Sequence, residues 1–331
     1  MRELRRVAVP WSRPSRRSLP MMKIVKATDA IPVEHPVFLL FGQPGICKSS
    51  LGYSMPDVLT LDFDKGAHRA ANRKDTLIID SWADVTALMH AGQALDPYRS
   101  VVVDTVGRCL DVMTAEIARE SPKLAPNGNL SQQGWGTLKT RFRTWIASLR
   151  ALGKDVLLIA HDKEDKDGDV RVVRPEIVGG SYGEVMKIAD FVGYVYMNGR
   201  ERVLDFNPTD RWIGKNPAGW APFPIPPIGK AQAFMADLYA QGREALGKIS
   251  EASAIATQQV DDWRAQIDTF TTADEFNRAV TEIKQLAPVV LPQVAKLLLE
   301  AAERKGIPFD KVTKRFLAPA TPEPEPVGSL L

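Results

Sequence analysis

A run of five apolar residues, Val37-Phe-Leu-Leu-Phe41, breaks into Gly42-Gln-Pro-Gly-Ile-Cys-Lys-Ser-Ser50. A short apolar run without alternation reads as a strand buried on both faces, and a glycine-bearing loop leading into a helix restricts the chain to an α/β arrangement. The loop departs at one position from the phosphate-binding pattern G-x-x-x-x-G-K-[ST]. Such a loop turns successive backbone N–H groups towards phosphate oxygens. Lys48 would reach the β- and γ-phosphates, and the Ser49 hydroxyl would ligate Mg²⁺. Gly42 fits the first glycine, but Cys47 stands at the second and puts a side chain where the backbone approaches the phosphates most closely. The expected ligands of ATP with Mg²⁺ are therefore Gly42, Gln43, Pro44, Gly45, Ile46, Cys47, Lys48, Ser49 and Ser50. The alternative, an ordinary strand–turn–helix with a chance Lys-Ser, leaves the acids that follow it unexplained.

With 331 residues, 44% of them apolar, the chain can hold one large domain and a smaller one. Two cysteines, Cys47 and Cys109, supply no disulfide framework and fit a reducing cytoplasm. No apolar run approaches the roughly 20 residues needed to span a membrane. The first twenty residues carry six arginines against Glu3, which leaves 37 basic and 39 acidic residues in the rest. The folded part is thus not a broadly basic polyanion binder, and nucleic-acid contact falls to local loops. The basic leader, 1–22, lacks an apolar stretch for secretion, and its prolines break a transit helix. It reads either as an arm that touches DNA phosphates or as an extension upstream of a start at Met21 or Met22.

Strand-like and helix-like segments alternate. Val37–Phe41, Val58–Asp62, Thr76–Ile79, Ser100–Asp104 and Val156–Ala160 read as strands. Helices are expected from Lys48, from Ser81 (capped with Asp84) to about Ala91, over about 108–120, and over 137–152. Residues 121–136, rich in Pro, Gly and Asn, read as a mobile loop. Hairpins are expected with turns at Asp167-Gly168 and Asn198-Gly199. The whole predicts an α/β sheet, parallel at its centre and ending in antiparallel hairpins. A proline-rich connector, 216–229, closes a domain at 23–229. Beyond it, 230–316 carries helical periodicity over about 231–247, 251–268, 272–287 and 289–305, with Thr272 and Glu275 as a capping box. The tail, 317–331, reads as disordered.

A phosphate loop needs a carboxylate to hold Mg²⁺ through water, and Asp104, ending a buried strand, supplies it. Hydrolysis needs a group that orients water. Asp62 and Asp64 alternate at the end of the second strand and so share one face. Asp64 is preferred because it lies nearer the carboxyl edge where open α/β sheets bind ligands. Both acids otherwise read as caps of a turn. His161 follows a buried strand at the same edge and is placed to sense the γ-phosphate.

These segments together resemble the RecA-like recombinase ATPases, most closely the small phage-encoded core-only members described as single-strand annealing or recombination proteins. The resemblance spans about residues 35–225. It rests on Phe-Gly-Gln-Pro-Gly-Ile-Cys-Lys-Ser, Leu-Asp-Phe-Asp-Lys-Gly-Ala, Val-Val-Val-Asp-Thr and Leu-Leu-Ile-Ala-His-Asp, in that order. It implies a RecA-like P-loop core, Asp64 as catalytic base in place of the usual glutamate, His161 as reporter of nucleotide state, and DNA-facing loops at about 121–136 and 162–183. It also implies single-stranded DNA as partner, self-assembly into a ring or filament, and a single-strand-binding protein as a further partner. In the first loop region Lys123, Trp135, Lys139 and Arg141 suit single-strand binding, since bases stack on aromatics beside a basic groove. Trp135 reads equally well as core packing at the start of a helix. Lys215 is expected either to reach a neighbouring subunit's γ-phosphate or to be solvated. Two other functions remain open: a nucleotide-binding scaffold with little turnover, and an AAA-type remodelling or helicase-loading ATPase with an arginine sensor at Arg243 or Arg264. In the latter class a glutamate usually follows the strand-ending aspartate, whereas here it is Thr105.

Overall fold

The computed structural model describes residues 24–318 other than 71, 92, 168 and 169, so the basic leader and most of the expected tail lie outside the described residues. The chain divides into two compact units: Pro32–Ser250, and a second formed by Glu251 onward with the residues up to Ile31. The boundary between these units, at 250/251, lies 21 residues beyond the 229/230 boundary expected from the sequence.

The first unit is a sheet flanked by helices. Its elements in chain order are β1 (Val37–Gly42), α1 (Lys48–Gly52), β2 (Val58–Asp62), β3 (Thr76–Ile78), α2 (Trp82–His90), β4 (Ser100–Asp104), α3 (Val106–Glu120) and α4 (Gln132–Ala151). There follow β5 (Asp155–Asp167), β6 (Val170–Pro175), α5 (Ser181–Ile188), β7 (Phe191–Asn198), β8 (Glu201–Asp205) and β9 (Phe223–Ile225). The sheet order is β3-β2-β4-β5-β1-β7-β8-β9, with β6 paired to β5. Strands β3 to β7 of this order run parallel, and β7-β8-β9 and β5-β6 are antiparallel. This is the α/β class with a mostly parallel centre and antiparallel hairpins that the alternation predicts.

The apolar runs form the centre because helices cover both sheet faces. Val37, Leu39, Phe41, Val101, Val103, Val156 and Leu158 face one core, while Phe38, Leu40, Val102, Leu157 and Ile159 face the other. Register places Gly42 level with His161, and Asp62 level with Asp104, at the carboxyl ends of parallel strands. That edge is where such sheets bind ligands.

Several expectations needed correction. Helix α4 begins at Gln132, so Trp135 and Gly136 are helical rather than part of a loop, and residues 122–128 form two 3₁₀ turns. Ser131 caps α4 by accepting from the Gly134 amide at 3.1 Å. Gly134 is required by packing: a Cβ there would meet the Leu124 carbonyl oxygen at 2.3 Å. Helix α5 and the short edge strand β9 were not anticipated, the latter hidden by Pro224, which an edge strand accepts. In the second hairpin Asn198 pairs with Glu201, which moves the turn to Gly199-Arg200.

A single helix, α6 (Phe234–Thr269), replaces the two expected over 231–268 and runs through Gly247 without a break. The second unit adds α7 (Ala273–Glu282), α8 (Leu291–Arg304) and a two-stranded ribbon of β10 (Phe309–Asp310) and β11 (Arg315–Phe316). Val260, Ile267, Phe276, Val294, Leu298 and Phe316 belong to its separate core. The Thr272/Glu275 capping box forms as expected.

Candidate nucleotide-binding site

Where β1 ends, the chain lies too close to β7 for a side chain: a Cβ on Gly42 would meet the Val195 carbonyl oxygen at 2.4 Å. The loop then turns through Gly45 (φ 79°) and Cys47 (φ 73°). Cys47 keeps the left-handed conformation that glycine would supply, at a cost of about 1 kcal/mol. Its thiol is half-buried beside the cleft. Lys48 is buried, and its Nζ donates to the Gly42 carbonyl at 2.7 Å and to that of Gln43 at 2.8 Å. Burial lowers its pKa, although Asp104, Asp162 and Asp64 lie near enough to oppose the shift.

Asp104, at the end of β4, is 7% exposed. Burial pushes its carboxyl upward against a hydrogen bond with Ser49, and the neighbouring Asp64 and Asp62 charges add to the rise. Ser49 and Asp104 line the same cleft. Mg²⁺ is commonly held by one or two carboxylates with phosphate and water oxygens, so a hydroxyl beside a carboxylate disfavoured by burial is a fitting pair. The residues present suit Mg-ATP.

The two acids after β2 separate by role. Asp62, 3% exposed, accepts from the Gly66 amide at 3.0 Å and the Ala67 amide at 2.8 Å, so it caps the turn. Asp64 faces the cleft. Thr105 Oγ1 donates to it at 3.3 Å, His161 Nε2 lies 3.2 Å away, and Arg108 Nε lies at 3.7 Å. Burial alone would raise the Asp64 pKa, but the hydrogen bonds and charges of His161, Thr105 and Arg108 hold it below the ordinary carboxylate value. An ionised carboxylate of this kind can orient a water by accepting its hydrogen bond.

A cleft of about 480 Å³ brings these groups together: Pro44, Gly45, Cys47, Lys48, Ser49, Ser50, Asp64, Asp104 and His161 line it. Gly66, Arg69 and Ala70 line it as well, and the sequence reading assigned them nothing. Their only signal was position, within six residues of Asp64. Of the expected ligands, Gly42, Gln43 and Ile46 are not in the lining; Ile46 packs into the core.

The remaining predicted residues lie elsewhere. Lys123 sits in an exposed 3₁₀ turn, and Arg141 is ion-paired with Glu120 at 2.5 Å. Trp135 packs against the core, its ring close over Gly179, and Lys139 Nζ lies over Gly180. The two regions expected to face DNA thus meet at Gly179-Gly180. Lys215 bridges to Val192 near the start of β7 and donates to the Ala189 carbonyl at 2.5 Å. That is the sheet edge opposite the phosphate loop. Arg243 is committed to Asp155 at the same far edge, and Arg264 to Asp261. Among the described residues, no helix is long and apolar enough to cross a membrane.

Residues 34–218 match the family model described as an AAA domain. The SPbeta prophage-derived uncharacterized protein YorG of Bacillus subtilis (strain 168) is 25% identical over 195 residues, covering 55% of this chain. The match spans 57% of that relative's length. Among solved structures, the flagellar accessory protein FlaH from Methanocaldococcus jannaschii is 11% identical, with 53% of this chain and 77% of that one covered at a TM-score of 0.29.

Proposed function

The chain belongs to the AAA-domain family of P-loop ATPases, and from that premise we propose that it is a Mg²⁺-dependent ATPase of DNA recombination, of the single-strand annealing type. The observation that carries the catalytic part is Asp64, facing the cleft that Lys48, Ser49 and Asp104 also line. Lys48 would leave the Gly42 and Gln43 carbonyls for the phosphates, and Ser49 with Asp104 would hold Mg²⁺. The ion supplies charge neutralisation at the β- and γ-phosphates. Asp64 orients water, and His161 holds Asp64 through Nε2.

The DNA part has its support in what adjoins the cleft. The Glu176 amide donates to the His161 carbonyl at 2.7 Å, Val178 lies beside Asp64 and His161, and Gly179-Gly180 meet Trp135 and Lys139. A change at His161 therefore has a short packed route to a surface with Lys123 and Lys139. Single-stranded DNA and further copies of this chain are the proposed partners.

ATP turnover titrated with single-stranded DNA tests this reading. DNA should raise turnover, Lys48→Ala should abolish Mg-ATP binding, and Asp64→Asn should lower kcat by about 10²-fold or more. A Lys48→Ala protein that bound Mg-ATP normally would overturn the site assignment. Turnover indifferent to DNA would favour a second reading, a nucleotide-held scaffold. That reading has its own support in Cys47 and in the three partners that engage Asp64.

A further inference from the structure

The nucleotide cleft does not end at Asp64. A second polar cleft of about 270 Å³ continues from it, and Asp64, Arg69 and His161 line both. Arg69 comes from the turn after β2, whose backbone Asp62 fixes through the Gly66 and Ala67 amides. Its guanidinium lies over Gly66, where a Cβ would meet Nη2 at 2.2 Å. Glycine at 66 therefore leaves the space that the guanidinium occupies.

Charge balance gives this position its meaning. Among the described residues lining the nucleotide cleft, Lys48 and Arg69 are the lysine and arginine cations, against Asp64 and Asp104, and His161 is already engaged with Asp64 at 3.2 Å. A nucleoside triphosphate brings about one more negative charge than a diphosphate, and that charge sits at the γ end. If Asp64 orients the attacking water, the γ end is the end beside Asp64, where the two clefts join. Arg108 is the competing cation, but it lines only the second cleft, and Asp64 and Asp111 engage it at 3.7 and 3.2 Å. Arg69 has no carboxylate within ion-pairing distance among the described residues.

We propose that Arg69 reads the γ-phosphate from within the same chain, so that the site takes a triphosphate in preference to a diphosphate. This rests on the ATPase reading above. A planar guanidinium donates two parallel hydrogen bonds to a phosphate, which a lysine ammonium cannot reproduce.

The test uses the full chain with Mg²⁺ and two fluorescent probes, mant-ADP and the non-hydrolysable mant-AMPPNP. Wild type should bind the triphosphate analogue more tightly. Arg69→Ala should weaken that analogue by about 10- to 100-fold and leave mant-ADP within about twofold, with Arg69→Lys between. Equal losses for both probes, or no loss for either, would overturn the proposal while leaving the ATPase reading intact. Failure of wild type to bind either probe would instead overturn the ATPase reading, and this proposal with it.

Discussion

Cys47 is the residue at which this loop departs from its pattern, and the departure is chemical rather than conformational. Its φ of 73° is the value a glycine would take there. Replacing it by glycine relieves about 1 kcal/mol of left-handed strain but returns about 0.5–1 kcal/mol of chain entropy, so stability should hardly change. Nucleotide affinity should change, because the thiol leaves the phosphate path. Cys47→Gly is expected to tighten Mg-ATP binding by about tenfold in calorimetric titration; equal or weaker affinity would contradict this. Residue-scale legibility was uneven. Lys48, Ser49, Asp64, Asp104 and His161 could be named because strand ends and loop spacing reveal them. Arg69 could not, since its place depends on how a turn folds back, and alternation alone could not say that Asp62 would bond backbone amides while its neighbour faced the cleft.

At the scale of elements, β5 carries the clearest energetic prediction. Asp155 opens it with no exposed surface, engaged by His35 Nδ1 at 3.1 Å, Arg99 Nε at 3.4 Å and Arg243 Nη1 at 3.0 Å. Removing the shared acid strands cations that are partly desolvated, so Asp155→Ala should cost about 3 kcal/mol or more in urea unfolding. A loss below about 1 kcal/mol would mean that water compensates. Helix ends were readable where caps are chemical, as at Ser81 and Thr272, and obscure where glycines belong to packing, as at Gly134. The Thr272 cap also predicts a pH response. Glu275 accepts from the Thr271 and Thr272 amides and the Thr272 hydroxyl, which lowers its pKa to about 2. A carboxyl lowered on folding stabilises above its unfolded value and loses that contribution as pH falls through the folded one. Helicity at α7, followed by NMR, should therefore decline between about pH 4.5 and 2, and Glu275→Gln should remove that dependence.

The whole molecule separates its chemistry from its second core. Every residue lining the nucleotide cleft lies within Pro32–Ser250, while the helical core of the second unit contributes none. A chain ending at Ser250 should bind Mg-ATP within about twofold of the full chain in fluorescence titration, because it keeps every residue that lines the cleft. Loss of binding would show the two units to be energetically coupled. The α/β class was legible from alternating periodicities, but the strand order was not. That β5 lies between β1 and β4 is decided by crossover geometry and helix packing, which no local pattern records. This placement has a mechanical corollary. From Val156 to Ile159 the backbone of β5 is stitched to a parallel neighbour on either flank; past His161 it is stitched to β6 alone. Amide exchange should be slowest on the first stretch and quicken on the second, with the histidine at the junction of stiff and compliant halves, where a small push at one end of a rod is converted into a swing at the other.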